Sequence, residues 1–159
     1  MIVIKYETGG ELILPLSSLV NSRLNSLELH RAIFDNIDVS GAEFTGSNLR
    51  GASFNRAVME KAVLCSVAIM NASFVEARMR EANLSNSIAS GADFSRADLS
   101  KSRFDGADVF YANFEGANLC DVNLDVGRVE GAVFKGALYN EGTQWPEGLD
   151  PGALGAVKV

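Results

Sequence analysis

The residue types that most often perform catalysis are scarce in this sequence and are not grouped. The only histidine, His30, is followed by Arg31, and no serine or cysteine nucleophile is placed to use it as a base. Aspartate and glutamate are numerous, but they recur at regular intervals, which is typical of solvated positions rather than of an acid–base pair. We therefore predict that the protein has no catalytic residue and is not an enzyme.

The two cysteines, Cys65 and Cys120, do not have the spacing of a metal site or of a disulfide framework. They lie far apart in the sequence, and no histidine or second cysteine stands at ligand spacing from either. The strings GAEF and GADF, which begin at Gly41 and Gly91, are not followed by a helix signal, so they do not fit a phosphate-binding loop. We predict no metal, no cofactor and no small-molecule substrate.

The composition limits the possible partners. The chain has 159 residues and a formal net charge of −6, which fits a single acidic domain. Clustered lysine and arginine are missing, so direct nucleic-acid binding is disfavoured. The apolar runs are too short for a membrane-spanning helix, and the N-terminal residues lack the basic leader and cleavage site of a secretory signal. We expect a cytoplasmic protein that does not bind a membrane.

The apolar residues follow a period of five, as in residues 91–119, GADFSRADLSKSRFDGADVFYANFEGANL. An apolar residue, usually a large one and here named the centre, occupies every fifth position from Leu24 to Tyr139. There are 24 such repeats without an insertion, and the residue two places before the centre is alanine in 15 of them. A step of five advances about 140° around an α-helix and alternates faces on a flat strand, so neither regular structure explains the period.

A chain that turns after every five residues explains the pattern. The small residue, the polar residue and the centre form a short extended side, and both ends of that side face inward. The last two residues turn the chain, and glycine occupies the final, or corner, position eight times, as at Gly41 and Gly106. Repetition coils the chain, and we expect neighbouring coils to pair as parallel β-structure.

The phenylalanines indicate how many sides each coil has. One series of centres, twenty residues apart, is entirely phenylalanine, and we predict that it forms the structural core: Phe34, Phe54, Phe74, Phe94, Phe114 and Phe134. Twenty residues make four sides of five, and identical aromatic rings pack well when they stack in register. Charges of opposite sign alternate at corners with the same interval, in the series Arg56, Glu76, Arg96 and in the series Lys61, Glu81, Lys101, Asp121.

These repeats resemble the pentapeptide-repeat family. The pattern of a small residue, a polar residue, leucine or phenylalanine and two polar residues is clear in ADLSK (97–101), ANFEG (112–116) and ANLCD (117–121), and it extends over residues 22–141. The resemblance implies an all-β fold, a right-handed quadrilateral β-helix. With the period of twenty, we predict about six four-sided coils.

The two ends of the chain depart from the repeat, and we predict that they cap it within a single domain. Residues 1–20 contain two short apolar segments around a Gly-Gly turn and read as a hairpin cap, and residues 21–141 form the β-helix. In the C-terminal cap, residues 142–159, we expect Trp145 and Leu149 to lie over the exposed end of the core. The tail motif T-x-W-P-E-G-x-D-P also resembles the ends of small pentapeptide-repeat proteins from photosynthetic bacteria.

One side of the predicted coil breaks the rule that outward positions are polar. Met70, Ile88, Phe110 and Tyr111 fall at outward positions of neighbouring coils, beside Ala68. Exposed aromatic residues and methionine often mark protein contacts, so we predict a contact site there. The alternative is a local slip that turns Ile88 inward and dissolves the patch.

Two function hypotheses follow. The first is a non-enzymatic scaffold that binds an unidentified protein partner or a second copy of itself. The second comes from the resemblance, since some pentapeptide-repeat proteins mimic DNA and bind type II topoisomerases such as gyrase. This sequence departs from that pattern because charges of both signs are interleaved along its repeats and no loop interrupts its coils.

Overall fold

The backbone follows the same path every twenty residues. In the computed structural model, which describes residues 1–159, isolated parallel β-bridges join Arg23 to Glu43 and Glu28 to Asn48, and the series continues along the chain. A bridge occurs at every fifth residue, so the bridges form four parallel ladders, one on each side of the coil. The period that the phenylalanines predict is therefore the period of the backbone.

Five longer strands lie toward the two ends of the molecule. They are β1 (Ile2–Tyr6), β2 (Glu11–Leu14), β3 (Ala32–Ile33), β4 (Leu138–Tyr139) and β5 (Val157–Lys158). One sheet has the order β2-β1-β3 with antiparallel pairs, and β4 pairs with β5 in parallel. The structure contains no helix that could cross a membrane.

Between these strands, each side of the coil pairs through its middle residue alone. Ser73, for example, donates to the Ala52 carbonyl at 2.9 Å and accepts from the Phe54 N–H at 2.7 Å. The next carbonyl, that of Phe74, accepts from the N–H of Ala77 at 3.0 Å across the turn. Because the turn uses this carbonyl, the sides are too short to be regular strands.

From Asn21 to Asp121 the corner position has a left-handed backbone whether or not glycine occupies it. Every corner from Asn21 to Asp121 has a positive φ, and 15 residues with side chains have values between 54° and 62°. A positive φ at the third residue is the feature of a type II turn, which normally favours glycine there. The sequence predicts glycine at this position, and the structure shows that the coil imposes the same conformation on residues such as Glu81 and Lys101.

The core consists of columns of stacked side chains, and one of these columns is entirely aromatic. The six phenylalanines of the twenty-residue series are fully or almost fully buried. Their rings stack face to face, with centroids 4.6 Å apart for Phe34 and Phe54 and 5.2 Å apart for Phe54 and Phe74. Phe44 and Phe104 meet this stack edge-on from another side of the coil. Small inward alanines let these rings approach, and 40 buried residues form one cluster.

The regular pattern ends near the last coil. Val126 occupies a corner position without a positive φ, which agrees with the cost of that conformation for a β-branched residue. The centres Val129 and Tyr139 are only partly buried, so the expectation that every centre faces a closed core is wrong there, because no complete coil covers them. The bridge from Asn123 to Gln144 spans 21 residues instead of twenty.

Both ends of the coiled region are covered by other segments. At the N-terminus β1 lies between β2 and β3, and the hydroxyl of Tyr6 donates to the Glu28 carbonyl at 3.0 Å. At the C-terminus the Trp145 ring meets Phe134 edge-on at 5.1 Å and Tyr139 at 5.5 Å. Leu149 is partly buried in a neighbouring groove. The assignment of these segments as caps stays a prediction.

Candidate protein-interaction surface

The candidate site is the surface formed by Ala68, Met70, Ile88, Phe110 and Tyr111, here named the apolar face. Ala68 and Ile88 are bridge residues of successive coils and are paired with each other. Because the residues on either side of a bridge residue point inward, the bridge residue itself points outward. Ser87 and Ala89 are buried whereas 47% of Ile88 is exposed, so the slip that would turn Ile88 inward does not occur.

Phe110 is less exposed than its position in the sequence suggests. The guanidinium carbon of Arg128 lies 3.6 Å from the centroid of the Phe110 ring, in the geometry of a cation–π contact. The Tyr111 ring meets the same ring edge-on at 4.4 Å. The expectation of two exposed aromatic rings is therefore wrong for Phe110, which is partly buried, and right for Tyr111, which is 65% exposed.

Asp108 holds the aromatic pair in place. Its Oδ1 accepts a hydrogen bond from the backbone N–H of Phe110 at 2.9 Å, and its Oδ2 lies 3.4 Å from Nη1 of Arg128. The first contact recurs elsewhere, since Asp93, Asp98 and Asn113 each accept from the N–H two residues ahead. Aspartate and asparagine are frequent at bridge positions, and this frequency is the sequence signal that indicates a hydrogen bond to the N–H two residues ahead.

A groove runs beside Tyr111. It has a volume of about 360 Å³ and lies between Met70 on one side and the two aromatic rings on the other. Ser90 and Gly91 form part of its lining, and Gly91 contributes no side chain to fill it. Tyr111 itself leans toward the next coil, because a Cβ added to Gly131 would lie 2.8 Å from its ring. The apolar face thus combines one exposed ring, that of Tyr111, with a cleft.

Charge is distributed unevenly along the side of the rod that carries the apolar face. Toward the N-terminus, His30, Arg31 and Arg50 are exposed, and the two arginines form no ion pair. Toward the C-terminus, Glu130 is 72% exposed and only 3.9 Å from Arg128, a long and weak pairing. Glu28 on the same side is exposed and bonds Asn48, so the N-terminal end is basic only on balance, and the other end has an acidic edge.

The other reactive groups are separate from one another. Sγ of Cys65 lies 3.8 Å from the hydroxyl of Thr45, and both cysteines are free. Burial raises the pKa of the Cys120 thiol, and the nearby carboxylates of Asp121 and Asp98 raise it further. No group of three or more histidine, cysteine, aspartate or glutamate side chains is placed to hold a metal ion.

The largest groove is polar and lies elsewhere. It has a volume of about 490 Å³, and its lining includes Arg96, Glu115 and Lys135 with two corner glycines. It is a surface depression left where Gly116 and Gly136 lack side chains, so no aromatic or aliphatic group is available to hold an organic ligand. Neither groove brings catalytic groups together.

The fold and the surface define a β-structured repeat protein with a twenty-residue period. The sequence profile of pentapeptide repeats matches residues 22–60, 42–86, 72–110 and 101–136, with eight copies of the repeat. The chain therefore belongs to the pentapeptide repeat family, which confirms the resemblance drawn from its repeats. This is a family of repeats, and the match indicates no catalytic family.

Several solved structures are similar to this one. HetL, involved in heterocyst differentiation regulation in the cyanobacterium Nostoc sp. strain PCC 7120, is 21% identical with a TM-score of 0.59. The alignment covers 87% of this chain and 61% of HetL, so the chain spans less than two thirds of that protein. QnrB1, a plasmid-mediated fluoroquinolone resistance protein, is 18% identical with a TM-score of 0.44, over 89% of this chain and 85% of its own. A comparison with curated proteins found no match.

Proposed function

We propose that this protein is a non-enzymatic scaffold that binds another protein through its apolar face. The observation that carries the proposal is the outward position of Ile88 and Tyr111 beside a cleft that Met70 and Phe110 also line. Exposed aromatic and aliphatic groups of this kind gain free energy when a partner removes them from water. Pentapeptide repeat proteins are generally structural or interaction proteins, which supports the same reading.

The proposed scaffold is rigid. We infer a right-handed, four-sided β-helix of about six coils within one domain, with residues 1–20 and 142–159 as its caps. The four ladders of bridges and the stacked rings support this architecture. A rigid surface loses little conformational entropy on binding, so even a small apolar contact can contribute usefully to affinity.

The charge pattern does not favour the DNA-mimic alternative. A mimic of duplex DNA needs a continuous negative surface, whereas one corner ladder alternates in sign. Nε of Arg56 lies 3.0 Å from Glu76, and Nη2 of Arg96 lies 3.5 Å from the same carboxylate. We expect no inhibition of gyrase supercoiling by the purified protein, and inhibition at equimolar protein would favour the mimic instead.

Affinity capture tests the scaffold proposal. The full chain, immobilised, is exposed to a cytoplasmic extract of its source organism, since we propose a cytoplasmic location. We expect the variant with Ile88→Ser and Tyr111→Ser to lose a partner that the wild-type chain retains. A matched control carries Val133→Ser and Leu138→Ser, which change two apolar residues of similar exposure, 43% and 38%, outside the apolar face.

Each variant is first checked for an unchanged melting temperature. The control should retain the same partners as the wild type. Identical sets of captured proteins from the wild-type chain and the Ile88/Tyr111 variant would overturn the proposal.

A further inference from the structure

Along the apolar face, the side chains of successive coils occur in an order that would complement the same order running in the opposite direction. One outward column, taken coil by coil, reads His30, Arg50, Met70, Ser90, Phe110, Glu130. Ser90 stands in the middle of the five residues from Arg50 to Glu130, and His30 lies one coil beyond them. One coil away on either side are two apolar side chains, Met70 and Phe110. Two coils away are two opposite charges, Arg50 and Glu130.

We propose that a second copy of this chain docks on the apolar face, with the two rods antiparallel. The inference rests on the proposed function and names the partner. A two-fold axis that lies in the contact plane and crosses the rods at the coil of Ser90 places every outward column opposite itself in reverse order. Met70 then faces the partner's Phe110, and Arg50 faces the partner's Glu130.

The neighbouring columns fit the same arrangement. In the bridge column, Ile88 lies on the axis and meets the partner's Ile88, with Ala68 opposite the partner's Asp108. In the corner column, Asn71 faces the partner's Tyr111 across the groove beside Gly91. The two most exposed apolar residues of the face, Ile88 and Tyr111, are therefore both covered in the dimer.

The unpaired charges determine the relative direction of the rods. Arg31 and Arg50 form no ion pair within the chain, and both lie toward its N-terminus. At the other end, Glu147 and Asp150 line one groove together with Glu130. An antiparallel dimer brings the basic end of each copy to the acidic end of the other, whereas a parallel dimer would oppose like charges.

The distances suit this pairing. Coils stack at about 4.8 Å, so Arg50 and Glu130, four coils apart, are separated by roughly 19 Å along the rod. They are too far apart to pair within one chain but are equally distant from the axis. The dimer therefore has two identical charge pairs at its ends, and the apolar contacts of Ile88, Met70 and Phe110 lie between them.

Charge reversal tests the dimer with the full chain. Sedimentation velocity over a concentration series should show a monomer–dimer equilibrium that weakens as salt is raised. Arg50→Glu and Glu130→Arg should each weaken dimerisation by about tenfold or more. In a dimer of either variant, residues 50 and 130 carry the same charge and face each other at both ends. Two controls reverse exposed charges that lie outside this surface, Arg80→Glu and Glu115→Arg, and these should dimerise as the wild type does.

Mixing the two variants gives the sharper result. In a dimer of one Arg50→Glu chain and one Glu130→Arg chain, both end contacts again join opposite charges. We expect an equimolar mixture to recover the dimer that neither variant forms well alone, with unchanged melting temperatures for all chains.

Three outcomes would overturn the inference. These are a wild-type chain that remains monomeric at about 500 μM, an Arg50→Glu effect equal to that of Arg80→Glu, and a mixture that does not associate. The proposed function fails differently, since it depends on loss of a captured protein from the Ile88/Tyr111 variant. A monomeric chain that still loses a captured protein on that substitution would refute the second copy and leave the scaffold in place.

Discussion

The hydroxyl of Ser47 bridges the backbone groups of Leu24 and Leu27 in the neighbouring coil, in place of a direct hydrogen bond between them. It accepts from the Leu27 N–H at 3.0 Å and donates to the Leu24 carbonyl at 2.6 Å. In most other turns these two backbone groups bond each other directly, as the Ala77 N–H bonds the Phe74 carbonyl. Ser47→Ala should leave both groups without a partner, and we expect a loss of about 1–3 kcal/mol in the free energy of unfolding, measured with urea. An unchanged midpoint would mean that the turn closes without the hydroxyl.

Ser87 and Ser102 occupy the same inward position but behave in the opposite way. Both are 1% exposed, and neither hydroxyl has a hydrogen-bond partner. Ser87→Ala and Ser102→Ala should each stabilise the fold by about 1 kcal/mol, because an unsatisfied buried hydroxyl is removed. The melting temperatures of these two variants are compared with that of Ser47→Ala. Lower melting temperatures than the wild type for both Ser87→Ala and Ser102→Ala would contradict the expectation.

Phe74 lies in the middle of the aromatic stack, between Phe54 at 5.2 Å and Phe94 at 4.9 Å. Phe74→Ala should cost about 3–5 kcal/mol, because closed coils on both sides prevent the cavity from collapsing. Phe110→Ala, on the outer surface, is the control and should cost much less. A loss below about 1 kcal/mol for Phe74→Ala would be inconsistent with its place in the core.

Lys101 is a corner residue with a φ of 62° and no ion pair in the structure. A left-handed conformation costs a residue with a side chain roughly 1–2 kcal/mol, which exceeds the entropic cost of glycine. Lys101→Gly should therefore stabilise the protein slightly, by about 0.5–1 kcal/mol, while Lys101→Val should destabilise it. Equal unfolding midpoints for the two variants would show that the corner does not impose this conformation.

Asp38 links stability to acid pH. The Ser40 hydroxyl donates to its carboxylate at 2.6 Å and the Ser40 N–H at 2.9 Å, and these bonds, with a smaller contribution from Arg78, lower the pKa of Asp38. A lowered pKa adds stability that is complete above the unfolded value, about 3.9, and is lost as the pH falls through the folded value. Ser40→Ala should thus be less stable than the wild type at pH 7, with the difference shrinking below about pH 4. A difference that stays constant down to pH 2 would exclude this linkage.

The C-terminal segment covers the last coil through β5 and the Trp145 ring. A chain that ends at Asn140 exposes Phe134 and the unpaired edge of β4, and such edges promote association with other chains. We expect this truncated chain to aggregate, as measured by light scattering at a concentration where the full chain remains clear. A soluble, monomeric truncated chain would argue against the capping role.

The period of the coil could be predicted from the sequence because it depends on side-chain size alone. A ring as large as that of Phe54 fits beside Phe74 only if the backbone returns after twenty residues. The conformation at Glu81 could not be predicted in this way, since glutamate gives no sign of a left-handed backbone. It follows from the closure of the coil as a whole.

The candidate site was only partly predictable for a related reason. Ile88 could be assigned to the surface from its place in the repeat, because bridge residues point outward. The contact of Arg128 with the Phe110 ring could not be predicted, because Arg128 lies eighteen residues ahead and approaches the ring only when two coils stack. Long flexible side chains reach across coils in ways that the five-residue period does not specify.

The twenty-residue spacing of the bridges also constrains how such a gene can change length. Each coil bonds only to the coils directly before and after it, as Ser73 does to the Ala52 carbonyl and Phe74 to the Asp93 carbonyl. Duplication or deletion of twenty codons would therefore add or remove one whole coil, and every remaining side chain would stay on the same side of the rod. A change of five codons between Met70 and Tyr111 would rotate all downstream residues by a quarter turn. Tyr111 would then lie on a different side of the rod from Met70.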